Sequence, residues 1–187
     1  KQAPVDDYLA SLKHIFRPAG KLRETQISLI LIAGTDKPGL GTFRKYLERR
    51  ADKQLRRFKK AVERLDNKAL HKSDRAIDRW LQDVDETFMV EQIRSNIESR
   101  QILIRSLIPG MSDKDNLHHI RINVRALSGM FTLLHDMQPD STLKAQLDEI
   151  KSILDVIGTW HDYDVLLASL FRFIDRHPDE VKLQTTA

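Results

Sequence analysis

The chain has 187 residues, of which 41% are hydrophobic and 31% are charged, and its formal net charge is +4. This length and balance predict one globular domain with a buried core and exclude an intrinsically disordered chain. The absence of Cys excludes disulfides and thiolate metal sites, and no apolar run reaches the roughly 20 residues of a membrane span. We therefore expect a cytoplasmic protein with no membrane partner.

Helical periodicity continues along the whole chain, and the alternation typical of strands does not occur. The pattern predicts an all-α bundle of about eight helices, near residues 5–18, 21–34, 40–66, 69–83, 86–108, 113–137, 141–157 and 159–177. The signals expected to separate helices include residues 34–39, Pro109–Gly110 with an N-cap at Ser112 or Asp113, and Pro139 with an N-cap at Ser141.

Apolar stripes indicate which sides of these helices face a core. The stripe of segment 113–137 consists of Leu117, Ile120, Val124, Leu127, Phe131 and Leu134. That of segment 141–157 consists of Leu143, Leu147, Ile150, Leu154 and Ile157. In segment 40–66 the predicted apolar side consists of Leu47, Ala51, Leu55, Phe58, Val62 and Leu65.

An internal repeat is indicated when the chain is shifted so that Leu9 lies on Leu147. In the same register the identical pairs are Lys13/Lys151, Ile15/Ile153, Gly20/Gly158 and Leu29/Leu167. The repeat predicts two related helical sub-bundles within a single domain, at residues 1–110 and 111–187. Because the first copy begins at its second helix pair and the chain starts without Met, we expect the preceding helices of that copy to be missing.

The segment 40–66 carries the excess positive charge. Between Gly41 and Arg64 there are ten Lys or Arg and three acidic residues, a local charge of +7, while the remainder of the chain carries −3. At about 100° per residue, seven cations fall within roughly a third of the helix circumference and form a cationic stripe: Arg49, Arg50, Lys53, Arg56, Arg57, Lys60 and Arg64. Like charges at i,i+4 cost about 0.2–0.5 kcal/mol per pair. The stripe is therefore either an anion-binding face or ordinary solvated surface.

A second cationic set, the His118 strip, consists of His118, Arg121 and Arg125 on segment 113–137. Offsets of three and seven residues place these side chains on one side of a helix, away from the apolar stripe, and Ser128 and Thr132 continue that side. Guanidinium groups fit phosphate oxygens, and imidazole nitrogens donate hydrogen bonds. A lone His in this position is typical of ordinary surface, but two Arg beside it favour an anion site.

These residues resemble a known family, the CHAD domain, or conserved-histidine α-helical domain. Its signature has a His, an Arg three residues later and further basic residues in one helix, as in residues 117–125. A helix pair joined by Leu-Gly then leads into Arg-Asp-x-Asp-Val-Leu, which resembles residues 157–166 with His161 in place of the Arg. Residues 19–27 resemble a diverged copy of this second motif, and Ala126 replaces one residue of the family's usual basic pair.

The resemblance implies non-catalytic binding of inorganic polyphosphate in a basic groove, and association with polyphosphate granules. It also implies that Asp162 and Asp164 are structural carboxylates, which we expect at the start of a helix, where they favour its dipole. The predicted polyphosphate-binding residues are His118, Arg121, Arg125, Arg23, Lys21, Arg49, Lys53, Arg56, Arg57 and Lys60. No catalytic residue, metal ligand or cofactor is predicted.

Three other functions stay open at this point. His135-Asp136 and His161-Asp162 are His-Asp doublets of the kind found in metal-dependent phosphohydrolases, although such a site needs further ligands around the ion. A nucleic-acid-binding protein would use the same backbone electrostatics. Single-strand binders also stack bases on aromatic rings, however, and no aromatic residue lies on the cationic side of the helix between Arg49 and Arg64. A scaffold that binds only proteins is the third alternative.

Overall fold

The structure, a computed structural model, describes residues 5–35 and 40–178, which contain helices and no strand. The six α-helices of this part are α1 (Asp6–Ala33), α2 (Leu40–Glu63), α3 (Asn67–Gln82), α4 (Glu86–Leu107), α5 (Lys114–Met137) and α6 (Ser141–Arg176). A short 3₁₀ helix at Ile108–Gly110 precedes α5. The predicted all-α class is confirmed, although part of the boundary signal at residues 34–39 lies outside the described residues. No described helix is both long enough and apolar enough to cross a bilayer.

The prediction of about eight helices is wrong for the described residues, because two predicted helix pairs are each a single helix. The first pair forms α1, which continues through Pro18 and Gly20, and the last pair forms α6, which continues through Gly158. Relative to Ala, an interior Gly costs about 1 kcal/mol and an interior Pro about 3 kcal/mol. In α1, burial of the residues that follow offsets this cost: Leu22, Thr25, Ser28 and Ile32.

The described chain divides into two compact units. The first contains α1, α2, α3 and the part of α6 from His161 onward, and the second runs from Val84 to Trp160. The units differ from the predicted sub-bundles 1–110 and 111–187, because α4 packs against α5 within the second unit. The internal repeat stays a prediction.

The core of the first unit lies at the connected end of an antiparallel hairpin formed by α1 and α2. Ile32, Phe43 and Leu47 are buried there with Phe173 of α6, and Phe43 and Leu47 are each only 1% exposed. The ring of Tyr46 lies 5.2 Å from that of Phe173, measured between centroids. Burial of these large apolar side chains holds the two helices together at this end.

The core of the second unit confirms the predicted apolar stripes of α5 and of the first part of α6. Its buried members are Val90, Ile97, Leu127, Phe131, Leu134 and Leu147. Asp113 caps α5 as predicted, since its Oδ1 accepts a hydrogen bond from the backbone N–H of Asp115. At α6 the predicted cap is wrong: Asp140, and not Ser141, accepts from the backbone N–H of Thr142.

Candidate functional site

The interface between α1 and α2 becomes more polar with distance from the connected end of the hairpin. At its middle, the single hydrogen of the Thr25 hydroxyl is shared between the backbone oxygen of Lys21 at 3.0 Å and Oε1 of Gln54 at 3.4 Å, both of which accept. Thr25 and Gln54 are 4% and 7% exposed, so this polar contact is enclosed between the helices. Buried polar groups need such partners, and the contact therefore fixes the register of α1 on α2.

Beyond the Thr25–Gln54 contact, two adjoining cavities form what we call the cationic cleft. The inner cavity has a volume of about 160 Å³ and is lined by Arg17, Pro18, Lys21, Gln54 and Arg57. The outer cavity has a volume of about 590 Å³ and is lined by His14, Ile15, Arg57, Lys60, Ala61, Arg64, Leu65 and Asp66. Because Arg57 lines both, the two cavities form one continuous cationic surface.

Positive charge in the cationic cleft is barely compensated. Among its lining residues Asp66 is the single carboxylate, and its Oδ1 caps α3 by accepting from the backbone N–H groups of Lys68 and Ala69 at 2.9 and 3.0 Å. Within residues 5–35 and 40–178, no ion pair is formed by the five permanent cations of the cleft: Arg17, Lys21, Arg57, Lys60 and Arg64. Mutual repulsion of these groups is relieved when an anion binds between them.

The orientation of α2 differs from the one predicted by its apolar pattern. Leu55 and Val62, expected in the core, are 38% and 45% exposed, whereas Gln54 is buried. Gln54 is buried because Thr25 of another helix provides its hydrogen-bond partner, a pairing that the pattern of α2 alone does not contain. Compared with the predicted orientation, α2 is rotated about its axis so that Arg57, at one edge of the cationic stripe, faces α1.

The cationic cleft contains three of the predicted binding residues, namely Lys21, Arg57 and Lys60. Three other predicted residues of α2 are exposed and do not line it: Arg49, Lys53 and Arg56. Arg23 follows His14 by nine residues and therefore lies roughly 180° around α1 from it. Arg23 therefore does not line the cleft with Lys21, and its predicted role in binding stays a prediction.

The His118 strip lies on α5 in the second unit. His118 and Arg125 are exposed, and Arg121 is half-buried. The imidazole of His118 lies 6.2 Å from that of His119, measured between ring centroids. The structure thus keeps the three predicted residues on one side of one helix, opposite the core residues of α5.

A further cation of the second unit, Arg100 of α4, contacts the buried side of α5. Its Nη1 donates to Oδ1 of Asn123 at 2.8 Å, and Asn123 in turn donates to the backbone oxygen of His119 at 2.8 Å. Asn123 lies five residues after His118, roughly 140° around the helix, so Arg100 does not extend the His118 strip. The buried Nε of Arg100 has no hydrogen-bond partner among the described residues.

Sequence reasoning missed His14, Arg17 and Gln54 as members of the cleft. A signal for the first two was present, because His14, Arg17 and Lys21 have the same offsets of three and seven residues as the His118 strip. The predicted helix boundary between residues 18 and 21 falls inside this motif and separated Lys21 from the other two residues. No comparable signal exists for Gln54.

The His-Asp doublets do not assemble a metal centre in the described residues. His135-Asp136 lies near the end of α5, and His161-Asp162 lies within α6. No group of three or more His, Asp or Glu that could hold a metal ion occurs in the part of the chain that is described. The expectation that Asp162 and Asp164 begin a helix is wrong, because α6 starts at Ser141, twenty-one residues before Asp162.

Comparison with known proteins gives one match. A family model described as CHAD domain matches residues 2–171, which include both the cationic cleft and the His118 strip. The resemblance indicated by the sequence motifs is therefore confirmed. No curated protein and no solved structure matches the chain.

Proposed function

The chain belongs to the CHAD domain family, and we propose that it binds inorganic polyphosphate without catalysing a reaction. Association with polyphosphate granules is part of this proposal. Convergence of cations from α1 and α2 on one concave surface is the observation that carries it. Arg121 and Arg125 of the His118 strip supply further contacts in the second unit.

A linear polyanion suits the cationic cleft for physical reasons. Guanidinium groups bind phosphate oxygens in a bidentate manner, and ammonium groups bind them as point charges. On α2, Arg57 and Arg64 are seven residues apart and span about 10 Å along the helix axis. Repeated phosphates along such a path exchange small counterions for protein cations, so the affinity decreases steeply as salt increases.

The composition of the cleft favours a ligand that has phosphates and no bases. Its described lining contains no Phe, Tyr or Trp, and the imidazole of His14 is its single aromatic ring. Tyr46, the aromatic residue of α2 nearest to the cationic stripe, packs against Phe43 and Phe173. Single-stranded nucleic acid binders typically gain about 1–3 kcal/mol per stacked base from aromatic side chains. The described lining of the cationic cleft has no Phe, Tyr or Trp on which a base could stack.

Competition between two polyanions tests the proposal. Labelled long-chain polyphosphate is titrated with the protein, and unlabelled single-stranded DNA of equal charge is added as a competitor at several salt concentrations. We expect saturable binding that weakens with salt, and we expect the DNA to displace polyphosphate poorly. Absence of polyphosphate binding, or displacement by DNA at equal or lower concentration, contradicts the proposal.

A further inference from the structure

The cationic cleft is closed at its inner end. Where the inner cavity stops, α1 and α2 touch through the buried pair Thr25 and Gln54. Farther along, Ser28 is 2% exposed and the apolar core follows. A phosphate chain that enters between the helices from the outer cavity therefore cannot continue between them.

The closed end carries a neutral donor among its cations. Gln54 is 7% exposed and lines the inner cavity, and its Oε1 lies on the Thr25 side. Its amide nitrogen donates no hydrogen bond to any of the described residues. This nitrogen is accessible from the cavity, since Nε of Arg100 is the only fully buried side-chain N or O atom without a partner in the described residues. An anion in the inner cavity provides the missing acceptor.

The inner cavity is small. Its volume of about 160 Å³ is below the range of roughly 300–1,000 Å³ that is usual for sites of drug-sized ligands. A single phosphate group fits within it, whereas a nucleoside or an inositol ring with several phosphates would have to extend into the outer cavity. Three cations surround this volume: Arg17, Lys21 and Arg57.

We propose that the inner cavity seats the terminal phosphate of a polyphosphate chain, with Arg17, Lys21, Arg57 and the Gln54 amide as its donors. This inference rests on the proposed function and specifies how the ligand lies in the site. A terminal phosphate has three non-bridging oxygens and a charge of about −1.5 to −2 near neutral pH, as on a phosphorylated side chain. An internal phosphate has two such oxygens and one charge. The terminal group thus offers more acceptor oxygens and more negative charge to the donors of the closed end than an internal phosphate does.

The first experiment compares phosphates with and without ends. Linear tripolyphosphate and cyclic tetrametaphosphate have similar charge near neutral pH, but the cyclic compound has no terminal phosphate. Each is titrated against the protein by calorimetry at the same salt concentration. We expect the linear compound to bind at least tenfold more tightly, and equal affinities overturn the inference.

The second experiment replaces the neutral donor. Gln54→Met retains the approximate shape of the side chain, and Thr25 retains its hydrogen bond to the backbone of Lys21. We expect tripolyphosphate affinity to decrease about tenfold while the slope of log affinity against log salt stays unchanged, because no charge is removed. Lys21→Gln, at an exposed position, is expected to lower affinity and also to reduce that slope by about 0.7, the value per contact for single-stranded polyanions.

Controls separate the inference from the proposed function. Lys59→Gln alters an exposed cation of α2 outside the cleft lining and is expected to change tripolyphosphate affinity less than twofold. Circular dichroism and thermal unfolding establish that each variant is folded. If long-chain polyphosphate binds but neither Gln54→Met nor Lys21→Gln weakens tripolyphosphate, the inference fails and the proposed function stands. If no polyphosphate binds at all, both fail.

Discussion

The α1–α2 hairpin of the first unit and α5 of the second unit carry the same spacing of His, Arg and a third basic residue. In the hairpin, the residues facing His14, Arg17 and Lys21 come from α2 and include Arg57. In the second unit, α4 packs against the opposite side of α5 and contributes apolar residues and Arg100 to that buried side. One spacing therefore lies in a two-helix cleft, and the other lies on the side of α5 away from the core of the second unit.

This difference shows what a helical spacing does and does not specify. Offsets of three and seven residues bring side chains to one side of a helix. Whether that side meets other cations depends on the neighbouring helix. In the hairpin, the Thr25–Gln54 contact turns α2 so that the edge of the cationic stripe faces α1. A binding site requires this second condition as well as the spacing.

The largest expected effect is a loss of polyphosphate affinity when cations inside the cleft are removed. A variant that loses the same number of cations outside the cleft serves for comparison. Arg57→Gln/Lys60→Gln/Arg64→Gln and Arg49→Gln/Lys53→Gln/Arg56→Gln remove equal charge from the same segment. At about 1 kcal/mol per lost contact, we expect the cleft variant to lose polyphosphate affinity by on the order of a hundredfold. The second variant should lose less than tenfold, through long-range electrostatics alone. Calorimetric titration with polyphosphate of defined length measures both.

Equal losses in these two variants would mean that the stripe acts only through its net charge and that the cleft has no special role. Circular dichroism at matched concentration serves as the control for folding. Because all six substituted side chains are exposed, we expect both variants to keep the helicity of the unsubstituted chain.

A smaller effect is expected from the His118 strip. Arg121→Ala/Arg125→Ala removes two cations from one side of α5, and we expect polyphosphate affinity to decrease about tenfold. Lys144→Ala/Lys151→Ala, at exposed positions of α6 in the same unit, provides the charge-matched control. If the two double variants lose affinity equally, the strip contributes only general electrostatic attraction.

The smallest expected effect is on the free energy of unfolding, and it concerns one glycine in each unit. Chemical unfolding measures it. A side chain added at Gly20 of α1 meets nothing within 4 Å, so Gly20→Ala should increase stability by about 0.5–1 kcal/mol. At Gly110 an added Cβ lies 2.5 Å from Nδ2 of Asn116, which donates to the Gly110 backbone oxygen. Gly110→Ala should therefore decrease stability by about 1 kcal/mol. A decrease for Gly20→Ala would contradict a continuous α1.

The sequence predicted the family and the helical class correctly, because its motifs and apolar periods are local patterns. It also predicted Arg57 and Lys60 as binding residues from charge and spacing, and Lys21 from a motif that resembles the family, and these three residues line the cleft. It predicted too many helices, with boundaries between residues 18 and 21 and at residue 158, because a local pattern does not contain the packing that keeps α1 continuous. It missed Gln54 for a related reason, since burial of that amide depends on Thr25, twenty-nine residues earlier in the chain.

By itself, the amino-acid sequence determined that the chain forms amphipathic helices and that its positive charge is concentrated between Gly41 and Arg64. Both properties follow from the order of residues within a few helical turns. Only the tertiary structure decided that α1 is one helix, that α2 faces it through Gln54 and Arg57, and that the resulting cleft closes at Thr25. These features depend on pairing between residues distant in the chain, and the free energy of that pairing is set by the partner and not by the local sequence.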